Sequence, residues 1–168
     1  RNCQYVLKNE YSRGILDKFR QEKIFLARMT KDIRASYSSA DECAGKVNVL
    51  TDFKENPKYV LGLLNSKLIN FWYKSKFESR HLAGGYLGFD IPSIKSIPLK
   101  VSISKVPVIN LVDKILAITK DDSYLENSEK QAKVRDYEKQ IDQLVYKLYG
   151  LTPEEIKIVE EKNYDRKN

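Results

Sequence analysis

Cysteine, histidine and long apolar runs are scarce in this sequence, and each scarcity excludes a class of protein. The two cysteines, Cys3 and Cys43, lie far apart and lack both the Cys-x-x-Cys spacing of a zinc ribbon and the framework of a disulfide-rich secreted domain. No stretch approaches the roughly 18 to 20 consecutive apolar residues of a membrane span, and no apolar signal region opens the chain. The sequence therefore predicts a protein of the reducing cytoplasm without a membrane partner.

The residues that enzymatic chemistry requires are equally few. The single histidine, His81, stands beside Arg80, and a lone histidine there is more typical of a polar or DNA-facing surface than of a catalytic base. The 7 glycines include one adjacent pair, Gly84-Gly85, and match neither the Gly-x-Gly-x-x-Gly pattern nor the phosphate-loop pattern. We therefore expect no catalytic residue, no metal ligand and no cofactor in this chain.

Two acid-x-lysine triplets leave a small nuclease open as an alternative. Asp52-Phe53-Lys54 and Glu155-Ile156-Lys157 have a spacing with which some nucleases hold a divalent ion and position water. Such triplets arise by chance in a chain that is 32% charged, and Glu155 also fits a helix-capping motif. The nuclease is therefore the weakest of the hypotheses.

Length and composition predict a folded domain of ordinary size. The chain has 168 residues, of which 42% are hydrophobic and 11% aromatic, enough for a sizeable core. It begins with Arg1 rather than methionine, and a strand-like run follows soon after. We therefore expect it to be a piece of a longer protein.

Positive charge is concentrated in the first part of the chain, although the whole sequence has a net charge of +7. Residues 1–120 contain 21 Lys and Arg against 11 Asp and Glu (net +10), whereas residues 121–168 contain 9 against 12 (net −3). We therefore divide the chain into a basic body, residues 1–120, and a helical C-terminal appendage, residues 121–168, that packs on the body or on the catalytic part of a parent. The balance favours an anionic partner, with nucleic acid first.

Hydrophobic periodicity predicts an α/β fold, more narrowly α+β, in which helices pack on a small mixed sheet and the chain ends in a long helix or helical hairpin. The predicted strands are residues 23–29, 33–38, 46–50 and 86–89. The predicted helices are residues 12–21, a long helix from Pro57 to just before Gly84-Gly85, a helical turn at 91–98, a helix from Pro107 to near Asp121, and the C-terminal helices.

Capping motifs and an apolar seam define the predicted helices further. Asn56-Pro57 is typical of a helix start. Residues 123–126 and 152–155 fit capping boxes, and Gly150 fits a helix C-terminus. The seam is about two heptads long and packs either on the domain's own helices or on a partner. It consists of Val134, Tyr137, Ile141, Leu144 and Leu148.

Basic residues interleaved with aromatic ones mark two segments as candidates for DNA contact. One segment surrounds the early strands, and the other surrounds the Gly84-Gly85 turn. Lys and Arg neutralise phosphates, and Arg can also read base edges in the major groove. The candidate residues are Arg28, Lys31, Arg34, Tyr37, Lys74, Lys76, Arg80, His81 and Tyr86.

Three segments together resemble one known family. They are residues 59–71 (YVLGLLNSKLINF), the turn at residues 84–87 followed by residues 94–99 (IKSIPL), and residues 139–156 (KQIDQLVYKLYGLTPEEI). Over roughly residues 23–161, the chain resembles the C-terminal target-recognition (specificity) domain of type IIG restriction-modification enzymes. This domain is related to the specificity subunits of type I systems.

The resemblance implies a non-catalytic reader of double-stranded DNA, attached in the parent enzyme to catalytic domains. Those domains form an adenine-N6 methyltransferase that uses S-adenosylmethionine, often together with a nuclease that needs Mg²⁺. The Asn-Pro-Pro-Tyr motif of the methyltransferase is absent from this chain. We therefore expect this segment neither to methylate nor to cut alone.

A second hypothesis treats the positive charge as incidental. The chain would then be a helical protein-interaction domain of a phage-defence methyltransferase complex. The DNA reader should bind duplex DNA with a steep salt dependence, because phosphate contacts release counterions. The interaction domain should bind protein tightly and DNA negligibly.

Overall fold

The computed structural model describes residues 13–41, 44–80 and 83–164. Within these ranges the chain forms seven α-helices and five β-strands, which confirms the α+β class. The helices are α1 (Arg13–Arg20), α2 (Pro57–Asn65), α3 (Lys67–Lys76), α4 (Ile91–Lys95), α5 (Val106–Thr119), α6 (Ser128–Tyr149) and α7 (Pro153–Tyr164). The strands are β1 (Lys23–Ala27), β2 (Met29–Thr30), β3 (Ala35–Ser38), β4 (Val47–Leu50) and β5 (Leu87–Gly88).

β1 lies at the centre of the main sheet. It pairs antiparallel with β3 on one side and with β4 on the other. Ile24 and Leu26 of β1 are fully buried, because alternate residues of a strand point to the same face. β2 and β5 form a separate antiparallel ribbon of two strands. The predicted strand at residues 23–29 therefore supplies strands to two sheets.

The single long helix predicted from Pro57 is in fact two helices, so this prediction was wrong. The start at Asn56 is confirmed, since its side chain accepts from backbone N–H groups of α2. Ser66 has an extended conformation (φ −67°, ψ 151°) between α2 and α3. Its hydroxyl donates to Leu63 O (2.7 Å) and accepts from Ile69 N–H (3.4 Å). A serine side chain can thus replace the missing backbone partners of both helix ends, while the apolar spacing continues across the break.

The N-terminus of α3 is also capped from α6. Asp142, which is 4% exposed, accepts a hydrogen bond from the backbone N–H of Lys67 (2.8 Å). The Lys67 ammonium lies 3.9 Å from the same carboxylate and pairs with Glu160 of α7. Burial raises the pKa of Asp142 to about 6, although its contacts with Lys67 act in the opposite direction. Three helices therefore meet at one buried carboxylate.

A glycine allows α2 and α5 to approach closely. A Cβ atom at Gly62 would lie 2.7 Å from Val108 Cγ1 and 3.2 Å from Val112 Cγ2, both on α5. Glycine inside a helix costs about 0.5–1 kcal/mol relative to alanine. The close contact between α2 and α5, which a side chain at this position would prevent, explains why a glycine occurs here despite that cost.

The predicted apolar seam of the last long helix faces the domain's own core. Val134 and Ile141 of α6 are 3% and 5% exposed. Tyr137, Leu144 and Leu148 are partly buried against the core cluster. α6 packs along α5 and also touches α2 and α3. The structure thus shows these residues packed on the body.

The beginning of α6 differs from the prediction. The capping box predicted at residues 123–126 is wrong, because Asp122–Leu125 forms a separate 3₁₀ turn capped by Asp121. α6 starts after Asn127, whose side chain accepts from Lys130 N–H at 2.9 Å. The two motifs use similar residue types, and sequence spacing did not distinguish them.

The end of α6 and the start of α7 agree with the prediction. Gly150 has a left-handed conformation (φ 75°, ψ 35°), and its N–H donates to Tyr146 O at 3.0 Å. Thr152 N–H donates to Glu155 Oε2 (2.8 Å), and Glu155 N–H donates to Thr152 Oγ1 (3.3 Å). Both capping motifs are therefore confirmed.

Some predictions fall outside the described residues. These concern Cys3, Cys43, His81 and the first residue of the predicted helix at residues 12–21. Along the residues that the structure describes, none of the helices combines the length and the apolarity needed to cross a membrane.

Replacing Gly62 by alanine should destabilise the fold. The new methyl group would meet Val108 Cγ1 at 2.7 Å, and a valine has little rotamer freedom with which to withdraw. We expect a loss of about 1–3 kcal/mol in the free energy of unfolding, measured by urea denaturation, despite the better helix propensity of alanine. Gly45→Ala is the control, because no atom lies within 4 Å of its added Cβ. Equal stability of Gly62→Ala and the wild type would contradict this close approach.

The buried carboxylate predicts a pH dependence of stability. Because the folded pKa of Asp142 is raised from 3.8 to about 6, its contribution to stability is fully present below about pH 4 and is lost as the pH rises through 6. Asp142→Asn can still accept from Lys67 N–H without acquiring a charge. The unfolding free energy of the variant minus that of the wild type should therefore increase by about 1–3 kcal/mol from pH 4 to pH 7, because only the wild type loses stability. A constant difference across this interval would rule out titration of a buried Asp142.

Candidate DNA-binding surface

The ribbon of β2 and β5 brings together the two segments that sequence reasoning selected. Met29 pairs with Gly88 and Thr30 with Leu87. At one end of this ladder, Phe89 N–H donates to Arg28 O (2.9 Å). One position beyond its other end lie Lys31 and Tyr86. Residues that are far apart in sequence thus share one short structural unit.

The two faces of the ribbon differ in burial. Leu87 and Phe89 are 1% and 2% exposed and belong to the core, whereas Met29 and Tyr86 are 57% and 41% exposed. Successive residues of a strand face opposite sides, and alternate residues face the same side, so Met29, Lys31 and Tyr86 share the outer face. Arg28 and Lys31 are exposed as well. We call these four exposed residues the ribbon surface: Arg28, Met29, Lys31 and Tyr86. Arg28 directly precedes Met29 of β2 and adjoins the outer face, whereas the other three lie on it.

α3 holds the chain immediately after β2. Asn70 is 7% exposed, and its side-chain oxygen accepts from Ile33 N–H (2.6 Å). Lys74 is 7% exposed, and its ammonium donates to the carboxylate of Asp32. The end of β2 is therefore attached to α3 by buried polar contacts.

The same helix holds β5. The Tyr73 hydroxyl lies 2.9 Å from Gly88 O and 2.7 Å from Ser93 Oγ. The Tyr73 ring stacks on Phe89, with centroids 4.7 Å apart. On the opposite side, Asn48 of β4 donates to Phe89 O at 2.7 Å. Both strands of the ribbon are thus fixed to a rigid platform, which is what a recognition surface requires.

Two adjacent glycines form the turn before β5. Gly84 and Gly85 have positive φ angles of 78° and 76°, which side-chain-bearing residues rarely adopt. No atom lies within 4 Å of a Cβ built at Gly85. The backbone at Gly85 is therefore open to close approach by a ligand.

The exposed cation Lys76 belongs to the end of α3 that carries the ribbon. Its ammonium lies 4.7 Å from the centroid of the Trp72 ring. Arg80 is in the 3₁₀ turn Glu78–Arg80 that leaves α3. His81 lies outside the described residues. These three positions precede the double-glycine turn in the chain.

Three predicted residues lie away from the ribbon surface or face inward. Arg34 lines a groove that also includes Arg135 of α6. The Tyr37 hydroxyl donates to Glu22, and burial together with Glu22 raises the pKa of Tyr37 to about 12. Lys74 is buried and ion-paired, so its geometry does not favour direct contact with DNA.

Met29 is a surface residue that the sequence analysis missed. It carries no charge, so the search for basic residues passed over it. Its alternation with Lys31 along one strand was the only available signal. Exposed methionine is adaptable and makes favourable contacts with flat apolar groups.

The acidic residues of the nuclease hypothesis have structural partners. Asp52 lies 3.0 Å from the ammonium of Lys18. Glu155 closes the capping box with Thr152. Among the residues that the structure describes, no group of three or more His, Cys, Asp and Glu side chains is arranged to hold a metal ion.

A comparison with protein families identifies the chain. A family model described as a TaqI-like C-terminal specificity domain matches residues 2–99, more than half of the sequence. The chain belongs to this family. Its function is thus that of a DNA specificity module of a restriction-modification enzyme, consistent with a part that is not itself catalytic. A search among curated proteins finds no match.

Substitutions at two lysines of α3 should affect different properties of this specificity domain, one its stability and the other its DNA binding. Lys74→Met removes the cation that pairs with Asp32 and should lower the free energy of unfolding by about 1–3 kcal/mol. It should leave the salt dependence of DNA affinity unchanged.

The matched variant is Lys76→Met, two residues further along the same helix. It removes an exposed cation and should change stability by less than about 1 kcal/mol. It should reduce the slope of log affinity against log salt by about one if Lys76 contacts a phosphate. Urea denaturation and titration of labelled duplex at several salt concentrations measure both effects. A reduced salt slope for Lys74→Met would contradict its structural role.

Proposed function

We propose that this specificity domain reads double-stranded DNA through the ribbon surface and the adjoining Gly84-Gly85 turn. The pairing of β2 with β5 carries the proposal, because it joins the two predicted DNA-contact segments in one short unit with an exposed face. Lys76, Arg80 and His81 complete the proposed contact region through their position before the turn.

The chemistry of the ribbon surface suits both parts of DNA recognition. Arg28 and Lys31 can neutralise phosphates or donate to the guanine edge in the major groove. Met29 and Tyr86 offer apolar contact to the methyl group of thymine. The major groove is about 12 Å wide and admits a two-stranded ribbon. A face with cations at its edge and apolar side chains between them therefore matches a base edge flanked by phosphates.

Charge distribution supports the same assignment. The net charge of +10 belongs to residues 1–120, which include the whole ribbon and its platform. Long-range attraction of this kind steers association with an anionic polymer, while a few contacts choose the sequence.

We further propose that the parent is a type IIG enzyme for phage defence that works in the cytoplasm. Its catalytic domains would be an adenine-N6 methyltransferase that uses S-adenosylmethionine, with or without a nuclease that uses Mg²⁺. The resemblance of residues 59–71, of residues 84–87 with 94–99, and of residues 139–156 to that family supports this proposal. The described residues of this chain do not fit either group, since they offer no acidic cluster for the ion and no glycine-rich cofactor loop. Both would bind to other parts of the parent.

Selection from a pool of random duplex DNA at two salt concentrations tests the function. The bound fraction should contain an enriched motif, and affinity should fall steeply with salt. Met29→Ala should relax the preference at one position of that motif, by about 1–3 kcal/mol if the contact is to a base. Lys31→Ala should weaken binding to all sequences and reduce the salt slope by about one if the contact is to a phosphate.

Lys133→Ala is the matched control, because Lys133 is an exposed lysine of α6 and not a residue of the ribbon. It should leave both the motif and the salt slope unchanged. Salt-sensitive binding without an enriched motif would assign specificity to the parent as a whole. No binding at low salt would contradict the proposal and favour the protein-interaction hypothesis.

A further inference from the structure

A groove of about 820 Å³ runs between α5 and α6, away from the ribbon. The two helices are antiparallel neighbours: the ammonium of Lys114 on α5 lies 5.4 Å from the Tyr137 ring centroid on α6. Near the other end, the hydroxyl of Tyr149 donates to Pro98 O (2.6 Å), close before α5. Leu151, which precedes α7, and Ile156 of α7 line the groove at that end.

The two walls of the groove repeat one pattern. Four residues of α5 between positions 107 and 114 line it at spacings of three, one and three. Five residues of α6 between positions 140 and 147 line it, and apart from Tyr146, which is buried, the other four have the same spacings. In both sets of four the third residue is leucine (Leu111 and Leu144) and the fourth is lysine (Lys114 and Lys147). Such spacing is the stripe by which one helix contacts another.

Because α5 and α6 are antiparallel and each lysine is the last residue of its stripe, the two lysines lie toward opposite ends of the groove. Seven residues of α-helix span about 10 Å, so the apolar part accommodates about two helical turns.

The lining of the groove is positively charged, in contrast to the C-terminal part of the chain that forms one of its walls. Residues 121–168 have a net charge of −3, yet the groove lining contains two lysines and no carboxylate. In the part of the chain that the structure describes, neither Lys114 nor Lys147 pairs with an acidic side chain. Both lysines are exposed. The lining therefore complements apolar side chains flanked by negative charge.

We propose that this groove binds an amphipathic α-helix of a protein partner, with leucine-like anchors over about two turns and an Asp or Glu at each end. The stripes of α5 and α6 would pack against the anchors as they would against a third helix of a bundle. The match to the specificity-domain family ends at residue 99, before α5, so this surface is additional to DNA recognition.

Synthetic peptides test the proposal with the full chain. The probe is a peptide of about 20 residues, with leucines at the spacing of the stripe and glutamates flanking them at both ends. A second peptide carries lysine in place of the glutamates, and a third has the leucines rearranged to remove the spacing. Fluorescence anisotropy should show that the glutamate peptide binds about tenfold or more tightly than either control.

Reversing the charge of the two groove lysines tests whether the groove is the binding site. The variant Lys114→Glu with Lys147→Glu should prefer the lysine peptide over the glutamate peptide, which reverses the wild-type order. Lys133→Glu, an exposed change on the same helix outside the groove lining, should keep the wild-type order. Methyl resonances of Leu111, Leu144, Leu151 and Ile156 should shift on binding.

Three outcomes would overturn the proposal. They are equal affinity for the two charged peptides, an unchanged preference in the charge-reversed variant, and methyl shifts confined to other parts of the chain. Self-association of the chain that buries these methyl groups would assign the groove to a second copy instead. Duplex DNA binding by the charge-reversed variant is measured in parallel and should equal that of the wild type, so failure of DNA recognition and failure of helix docking are distinguishable.

Discussion

Both strands of the β2–β5 ribbon, the proposed DNA contact, depend on three buried polar side chains of one helix. Asn70 and Lys74 hold the segment after β2, through Ile33 N–H and Asp32, while Tyr73 reaches Gly88 O in β5. A buried polar group is costly unless it has a partner, so these contacts favour one placement of the ribbon against α3. The ribbon has only two paired residues per strand, a ladder too short to be stable in isolation. Because α3 holds it, it can still present exposed side chains on its outer face.

α3 is itself positioned by contacts at its N-terminus. The break at Ser66 frees its first N–H groups, and Asp142 of α6 accepts one of them. Gly62 permits α5 to approach α2 at the other side of this junction. The specificity platform and the helical C-terminal part thus share a core, and the ribbon surface and the α5–α6 groove are formed by different elements around it.

Charge and aromatic content selected most residues of the candidate region, but they did not distinguish its buried residues from its exposed ones. Lys74 and Lys76 are the same residue type on one helix, and both were predicted to contact DNA. Residues two positions apart do not share a helix face, so one is buried against Asp32 and the other is exposed. Met29 was missed for a different reason: it is exposed on the ribbon, but it carries no charge, and the prediction relied on charge.

Features that depend on a few neighbouring residues were predictable: the cap at Asn56, the turn at Gly150, the capping box before α7, and the four strand segments. The pairing of β2 with β5, the break at Ser66 and the burial of Lys74 were not. All three involve partners distant in sequence, 37 residues for Asn70 and Ile33 and 75 for Lys67 and Asp142, although the Ser66 hydroxyl also caps the break locally. Local periodicity carries no information about such partners, because folding alone brings them within hydrogen-bond distance.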